Sequence, residues 1–240
     1  MKKPADQPLR PITTAMLLAA GRGERMRPLT DHTPKPLLQA GDKPLIEHHL
    51  QKLAAAGFKK VVINLAWLGQ KIEDYLGDGN QFGLQIVYSH EVQALETGGG
   101  IFQALPLLKN NKGEAEPFAL VNGDVFSELD YQKLTALPAG SLAHLFLVDN
   151  PTHNPQGDFI LEAGWVYDRN QPQQAAGLTF SGCSILDPSI FLDQSAGKFP
   201  LAPILRNFML QEKVTGEKQT DFWLDVGTPE RLDYLNNKLG

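Results

Sequence analysis

Apolar and polar positions fall into blocks along this chain, and the blocks carry two different periods. Ala15-Met16-Leu17-Leu18, Val61-Val62-Ile63 and Phe118-Ala119-Leu120-Val121 are short, continuous apolar runs bounded by turn formers. Such runs predict strands buried on both faces. After Pro44, Ile46, Leu50 and Leu53 recur at helical spacing and Gly57 supplies a stop, which predicts a helix. Lys60 to Leu65 reads as the second strand, Gln70 to Leu76 as a short helix, and Leu84 to Tyr88 as the third strand. A short helical pattern from Ile101 to Leu105 then precedes the strand at Phe118 to Val121. Strand and helix alternating at this pace predict right-handed βαβ units on a largely parallel sheet. In such sheets ligands gather at the carboxyl ends of the strands.

The later half changes character. Leu142 to Val148 reads as a strand, and Asn150 to Gln174 is rich in Pro, Asn, Gln and Gly. That composition predicts hairpins and loops without a second core. Leu178 to Leu186 restores a strand, and Phe199 to Leu210 reads as a helix carrying Arg206. Thr228 can cap a last helix with Pro229 at its first position, running along Leu232 and Leu235. The expected fold class is α/β: a single Rossmann-like three-layer domain with a largely parallel mixed sheet and a hairpin-rich insertion. It spans residues 12–240 behind a disordered tail at residues 1–11, with its change of character separating residues 12–125 from 126–240.

Composition narrows this picture. A chain of 240 residues with 42% apolar content suits one such domain. No apolar run approaches the roughly 20 residues of a membrane span. The opening has two lysines and no apolar segment after them, so it does not read as a secretory signal. Cys183, the single cysteine, excludes an internal disulfide and fits a reducing, cytoplasmic setting. The histidines show no zinc spacing, and the adjacent pair His48-His49 points two ways from a helix. No repeat of 20–50 residues is visible.

The candidate chemistry starts where the first strand stops. Gly21-Arg22-Gly23 is followed by Arg25, Arg27, Pro28 and by Lys35 between Pro34 and Pro36. Local positive charge on a chain of net charge −5 suggests a phosphate site and argues against a nucleic-acid surface. A dinucleotide fingerprint would need a glycine where Met26 stands, and a P-loop would need Gly-Lys-Ser/Thr. Neither fits, and the prolines predict a long loop. Leu95-Glu96-Thr97-Gly98-Gly99-Gly100 predicts a second loop whose backbone touches a flat ligand. Asn122-Gly123-Asp124 closes the fourth strand, and Phe222-Trp223-Leu224-Asp225 repeats the design of apolar residues running into an aspartate. Magnesium is bound by one or two carboxylates with phosphate oxygens and water, so the two aspartates suit it as a pair.

From Leu18 to Pro36 the chain resembles the signature of the sugar-phosphate nucleotidyltransferases, the nucleotide-sugar pyrophosphorylases. The stretches Val62 to Gly79, LETGGG, LVNGDV and WLDVGTPERL continue the resemblance over nearly the whole length, toward the branch that uses UTP. The resemblance implies an enzyme whose partners are UTP and a sugar 1-phosphate, with Mg2+ as cofactor and no nucleic-acid or membrane partner. Monomer and homodimer both stay open. By the family's motif positions, Arg25 and Lys35 are catalytic, facing the leaving pyrophosphate and the α-phosphate. Ala19, Ala20, Gly21, Arg22 and Gly23 bind the nucleotide, as do Glu96, Thr97, Gly98 and Gly99. Asn122, Asp158, Ser181 and Gly182 bind the sugar, and Asp124 and Asp225 hold the metal. The resemblance thus makes residues 12–125 the nucleotide-binding part and 126–240 the sugar-binding part with the second metal-binding aspartate. For a sugar that bears a carboxylate, Arg206 and Lys198 are the basic candidates. Guanylyl- and thymidylyltransferases of the same fold are alternatives, as are an NAD-dependent oxidoreductase and a non-catalytic nucleotide-sensing domain.

Overall fold

In the computed structural model, which describes residues 9–110, 112–169 and 176–240, the first apolar run is the axis of the molecule. The chain opens with β1 (Leu9–Pro11), β2 (Thr14–Leu18), the small ladder β3 (Gln39–Ala40) and β4 (Lys43–Pro44), then α1 (Leu45–Ala55) and β5 (Lys60–Leu65). It continues through α2 (Gly69–Leu76), β6 (Gln85–His90), α3 (Glu96–Ala104), β7 (Phe118–Asn122), β8 (Val125–Ser127) and β9 (Ala136–Pro138). Then come β10 (Ala143–Val148), the hairpin β11 (Phe159–Glu162) and β12 (Trp165–Asp168), and β13 (Gly177–Leu186). Last are α4 (Ala202–Met209), β14 (Val214–Lys218), β15 (Trp223–Asp225) and α5 (Pro229–Leu239).

The main sheet has nine strands in the order β10-β14-β12-β11-β13-β7-β2-β5-β6. β2 runs parallel to β5 and β7, and β5 parallel to β6. β13 joins β7 antiparallel and starts the mixed half that the hairpin region completes. Three layers follow from the alternation of side chains along each strand. Ala15, Leu17, Val61 and Ile63 face Ile46, Leu50 and Leu53 of α1 and Ile72 and Leu76 of α2. Met16, Val62 and Leu120 face Ile101 and Ala104 of α3 with Ile204, Leu205 and Met209 of α4. Each fully buried Leu or Ile in these layers stabilises the fold by about 1.5–3 kcal/mol. Gly57, at φ +91, lets α1 end as foreseen, with Phe58 N–H reaching back to the Leu53 carbonyl.

The chain passes from β2 to β5 and β6 on one side and then returns to β7 on the other. This reversal opens a crevice at the carboxyl ends of β2 and β7.

Three sequence expectations change here. Leu9–Pro11, assigned to a disordered tail, pairs antiparallel with Ala136–Pro138, while residues 1–8 of that tail lie outside the described residues. α4 begins at Ala202 with Pro203 in its first turn, so Phe199 belongs to the segment before it. The glycine run is not a loop before a helix at Ile101: it is the first half of α3.

Candidate active site

A cavity of about 490 Å³ occupies the crevice, within the size range of small-molecule sites. Its walls come from Leu18 to Gly21, Gly23 to Arg25, Lys35, Asn64, Glu91, Glu96, Thr97, Asn122 to Asp124, and Gly227. Most of these sit just past the carboxyl ends of β2, β5, β6 and β7, where strand geometry delivers them.

The loop after β2 is held by its own turns. Single 3-10 turns at Glu24–Met26, Leu29–Asp31 and Lys35–Leu37 replace the helix of a dinucleotide fold. Met26, standing where that fingerprint has glycine, is fully buried and anchors the loop. Gly23 takes φ +67, and its carbonyl accepts from Thr30 Oγ1 at 2.8 Å. A Cβ there would lie 3.1 Å from Thr30 and 3.2 Å from the Lys35 stem. At Gly21 a Cβ would meet nothing within 4 Å. Gly21 is therefore not required by packing; its bare backbone faces open cavity. Arg22 turns away and stacks on Trp67, with Cζ 4.4 Å from the ring centroid, so its side chain leaves the cavity wall.

Lys35 is buried to 7% side-chain exposure, and its Nζ donates to Asp124 Oδ2 at 2.8 Å. Asp124 itself is 45% exposed. Arg25 also lines the cavity.

A polar chain that the sequence reading missed ties the two ligand-facing segments together. Asn64 Oδ1 accepts from Ala19 N–H at 2.8 Å, and Asn64 Nδ2 donates to Glu91 Oε1 at 2.7 Å. Glu91 Oε2 accepts from Leu95 N–H at 2.9 Å. Both side chains are buried. The visible signal was Asn64, a polar residue inside an otherwise apolar strand; nothing nearby in sequence marked Glu91.

The three glycines of α3 serve close packing. A Cβ on Gly98 would lie 2.6 Å from the Phe199 ring, and one on Gly99 would lie 2.2 Å from the Gly197 carbonyl oxygen. On Gly100 it would lie 2.6 Å from Glu91 Oε1. The segment before α4 seals against this face, with Gly99 N–H donating to the Phe199 carbonyl and Phe199 N–H to the Leu95 carbonyl. Leu95 is thus tied at both its N–H and its carbonyl. That grip holds Glu96 at φ +60, a conformation costing about 1–3 kcal/mol for a residue with a side chain. Glu96 and Thr97 remain on the cavity wall, whereas Gly98 and Gly99 do not.

Asp124 and Asp225 come together through the short ladder of β8 with β15. Asp225 stands opposite Val125, and Val226 N–H donates to the Asp124 carbonyl at 3.0 Å. Asp225 Oδ2 accepts from Arg231 Nη1 at 2.6 Å and lies 3.3 Å from His153 Nε2. A Cβ on Gly227 would lie 2.8 Å from Asp225 Oδ1 and 2.9 Å from Arg25 Nη2, so Asp225 and Arg25 converge around that glycine. Among the described residues no group of three or more His, Cys, Asp or Glu forms a cage for a metal. A two-carboxylate set of this kind fits magnesium, which keeps water and phosphate oxygens as its other ligands.

Below this ladder, His49 on α1 is buried between Tyr131 and the Val125 carbonyl, at 2.7 and 2.8 Å. A carbonyl can only accept, so Nε2 carries the proton and Nδ1 accepts from the Tyr131 hydroxyl. Burial lowers the His49 pKa to about 4, which keeps the ring neutral. Burial also pushes the Cys183 thiol up to about 12. It packs as a small buried side chain in the core.

The residues expected to bind sugar divide. Asn122 lines the cavity, and Gly182, at φ +82, packs against its side chain. Ser181 is buried, its Oγ accepting from Cys183 N–H and its carbonyl from Trp223 Nε1. Asp158 Oδ2 accepts from Phe180 N–H at 2.8 Å and Oδ1 from Asn154, which braces the wall beside β13. Neither Ser181 nor Asp158 lines the cavity itself. Arg206 Nε is 3.4 Å from Asp168 on the β11–β12 hairpin, and Lys198 Nζ is 3.7 Å from Glu96 at the rim. Both cations therefore have carboxylate partners within the protein.

Residues 14–157 match the family described as Nucleotidyl transferase, and the chain belongs to that family. It is 53% identical to the N-acetylmuramate alpha-1-phosphate uridylyltransferase of Neisseria meningitidis serogroup B, over 91% of this chain and 94% of that protein. It is 34% identical to the protein of the same name from Caulobacter vibrioides, over 90% of this chain and 92% of that one. In fold it is similar to HddC of Yersinia pseudotuberculosis, solved with GMP-PN, at a TM-score of 0.76 and 23% identity over 95% of this chain and all of that one. The expected α/β fold and nucleotidyltransferase class are thereby established.

Proposed function

We propose that the chain transfers the uridylyl group of UTP to N-acetylmuramate 1-phosphate, giving UDP-N-acetylmuramate and pyrophosphate. The observation that carries this reading is the convergence of Arg25, Lys35 and Asp124 on one cavity, in a chain 53% identical to a uridylyltransferase of that name. We assign the step to cell-wall sugar recycling in the cytoplasm; no described helix is long and apolar enough to cross a membrane.

A sugar 1-phosphate loses its second proton near pH 6, so its attacking oxygen is already ionised at pH 7 and needs no general base. That oxygen forms a bond to the α-phosphorus, and the bond from that phosphorus to the bridging oxygen breaks. The electron pair leaves with pyrophosphate. The difficulty is electrostatic, because two anions must meet, and positioning with charge neutralisation supplies the catalysis. Lys35, desolvated and aimed by Asp124, faces the α-phosphate, and Arg25 neutralises the departing pyrophosphate. Gly21 lets the nucleotide approach bare backbone, while Thr97 and Glu96 border the base. Asn122, backed by Gly182, and the wall braced by Asp158 and Ser181 receive the sugar. Asp124 and Asp225 would hold a magnesium ion, which neutralises phosphate charge when bound.

The test is pyrophosphate release across a matrix of nucleoside triphosphates and sugar 1-phosphates, with magnesium and with chelator. Metal-dependent turnover confined to UTP with N-acetylmuramate 1-phosphate is the expected result. Turnover with another pair overturns the substrate assignment, and silence from folded protein overturns the enzymatic one.

A further inference from the structure

Asp225 is held more tightly than a free metal ligand needs to be. Arg231 stands in the first turn of α5, where Thr228 Oγ1 accepts from its N–H and Pro229 occupies the opening position. From there one nitrogen, Nη1, grips both polar ends of the same residue: the Asp225 carbonyl at 3.0 Å and Oδ2 at 2.6 Å. Both side chains are only about one-fifth exposed, at 19% and 21%, so water competes weakly for the pair. His153 Nε2 lies 3.3 Å from the same Oδ2 and 3.3 Å from Arg231 Nη1, closing a compact cluster around that oxygen. The second oxygen is turned elsewhere. A Cβ on Gly227 would lie 2.8 Å from Oδ1 against 3.3 Å from Oδ2, and Gly227 lines the cavity. One carboxylate oxygen is thus committed to α5, and the other lies beside Gly227, at the edge of a cavity wall that does not include Asp225 itself.

We propose that Arg231 is a positioning residue for Asp225, fixing the carboxylate so that it offers a single oxygen to a divalent cation bound with the nucleotide phosphates. The inference rests on the metal-binding role proposed above for Asp225. Magnesium demands near-octahedral geometry and strips its waters reluctantly, so a carboxylate frozen in a one-oxygen pose suits it. Partners that hydrogen-bond a ligating carboxylate typically contribute about 10–100-fold to metal affinity or activity. Arg231 acts on the cation only through Asp225.

The experiment measures binding without turnover. UTP affinity is determined by calorimetry on the full chain, with and without Mn2+ and with no sugar phosphate, and the ratio of the two constants gives the metal-dependent gain. R231A is expected to reduce that gain by about 10-fold, and R231K, which keeps the positive charge beside Asp225, to restore part of it. In a D225N background, R231A is expected to change the gain by less than about twofold, because the residue through which it acts is already disabled. Thermal unfolding checks each variant, and R231K carries the test if R231A fails to fold. A gain that survives in R231A, or that falls equally with and without Asp225, overturns the proposal. A gain that D225N leaves intact removes Asp225 from the metal site and takes this inference with it; pyrophosphate release can survive that result, so the two readings fail separately.

Discussion

Lys35 and Asp124 stand 89 positions apart in the chain and meet as an ion pair, Nζ to Oδ2 at 2.8 Å. Burial of the lysine stem against Gly23 fixes where its charge emerges, and the half-exposed aspartate marks the direction in which it points. Replacing Lys35 by Ala is therefore expected to lower turnover by about 10²-fold or more, on the scale of losing one preorganised charge. Pyrophosphate release at saturating substrates measures this. Turnover within a few-fold of the parent protein would take Lys35 out of the chemistry.

Asp225→Asn should cut the rate by roughly 10²-fold and leave the nine-stranded sheet in place, since β15 pairs only with β8. Far-UV circular dichroism alongside turnover separates the two effects. Full activity at ordinary magnesium concentrations would contradict the assignment.

Two glycines should respond to the same substitution in opposite ways. Gly99→Ala drives a methyl to within 2.2 Å of the Gly197 carbonyl and should destabilise the fold by about 1–3 kcal/mol, as overpacking does. Gly21→Ala meets no atom of the protein and should leave the melting temperature unchanged while raising the KM for the nucleotide. Equal melting points for both variants would refute the packing account of α3.

His49 makes stability depend on pH. Its folded pKa of about 4 lies below the 6.5 of a free imidazole, so between these values the unfolded chain takes up a proton that the native one refuses. The contribution is complete above pH 6.5 and is lost as pH falls toward 4, on the order of 3 kcal/mol in total. Urea unfolding near pH 7.5 and near pH 5 should show the loss, and His49→Gln should make the dependence shallower, leaving the share of His144, whose pKa burial also lowers to about 4. An equally steep dependence in the variant would place the effect elsewhere.

Strand positions were readable because a buried parallel strand needs a continuous apolar run, and Lys60–Leu65 was located to the residue. The glycine helix was not readable. Glycine disfavours helices by about 1 kcal/mol relative to alanine, so Thr97 to Gly100 looked like a loop. What overrides that preference is the segment Gly197–Phe199, about a hundred positions away, which needs a face without side chains. Arg25, Lys35, Asp124 and the glycines of the first loop were visible as motifs. The stacking of the Arg22 side chain on Trp67 was not readable, because Trp67 lies on the loop after β5. Glu91 and Arg231 act through hydrogen bonds to other segments, which no local pattern records.

The ladder of β8 with β15 also bears on truncation of the chain. Among the described residues every strand of the main sheet lies at or before Lys218 in the chain, and Asp225 and Arg231 follow it. A chain cut after Lys218 keeps every strand of that sheet, with Lys35 and Asp124 present and half of the carboxylate pair missing. If Asp225 holds the metal as proposed, a chain cut after Lys218 is expected to bind nucleotide without turning it over.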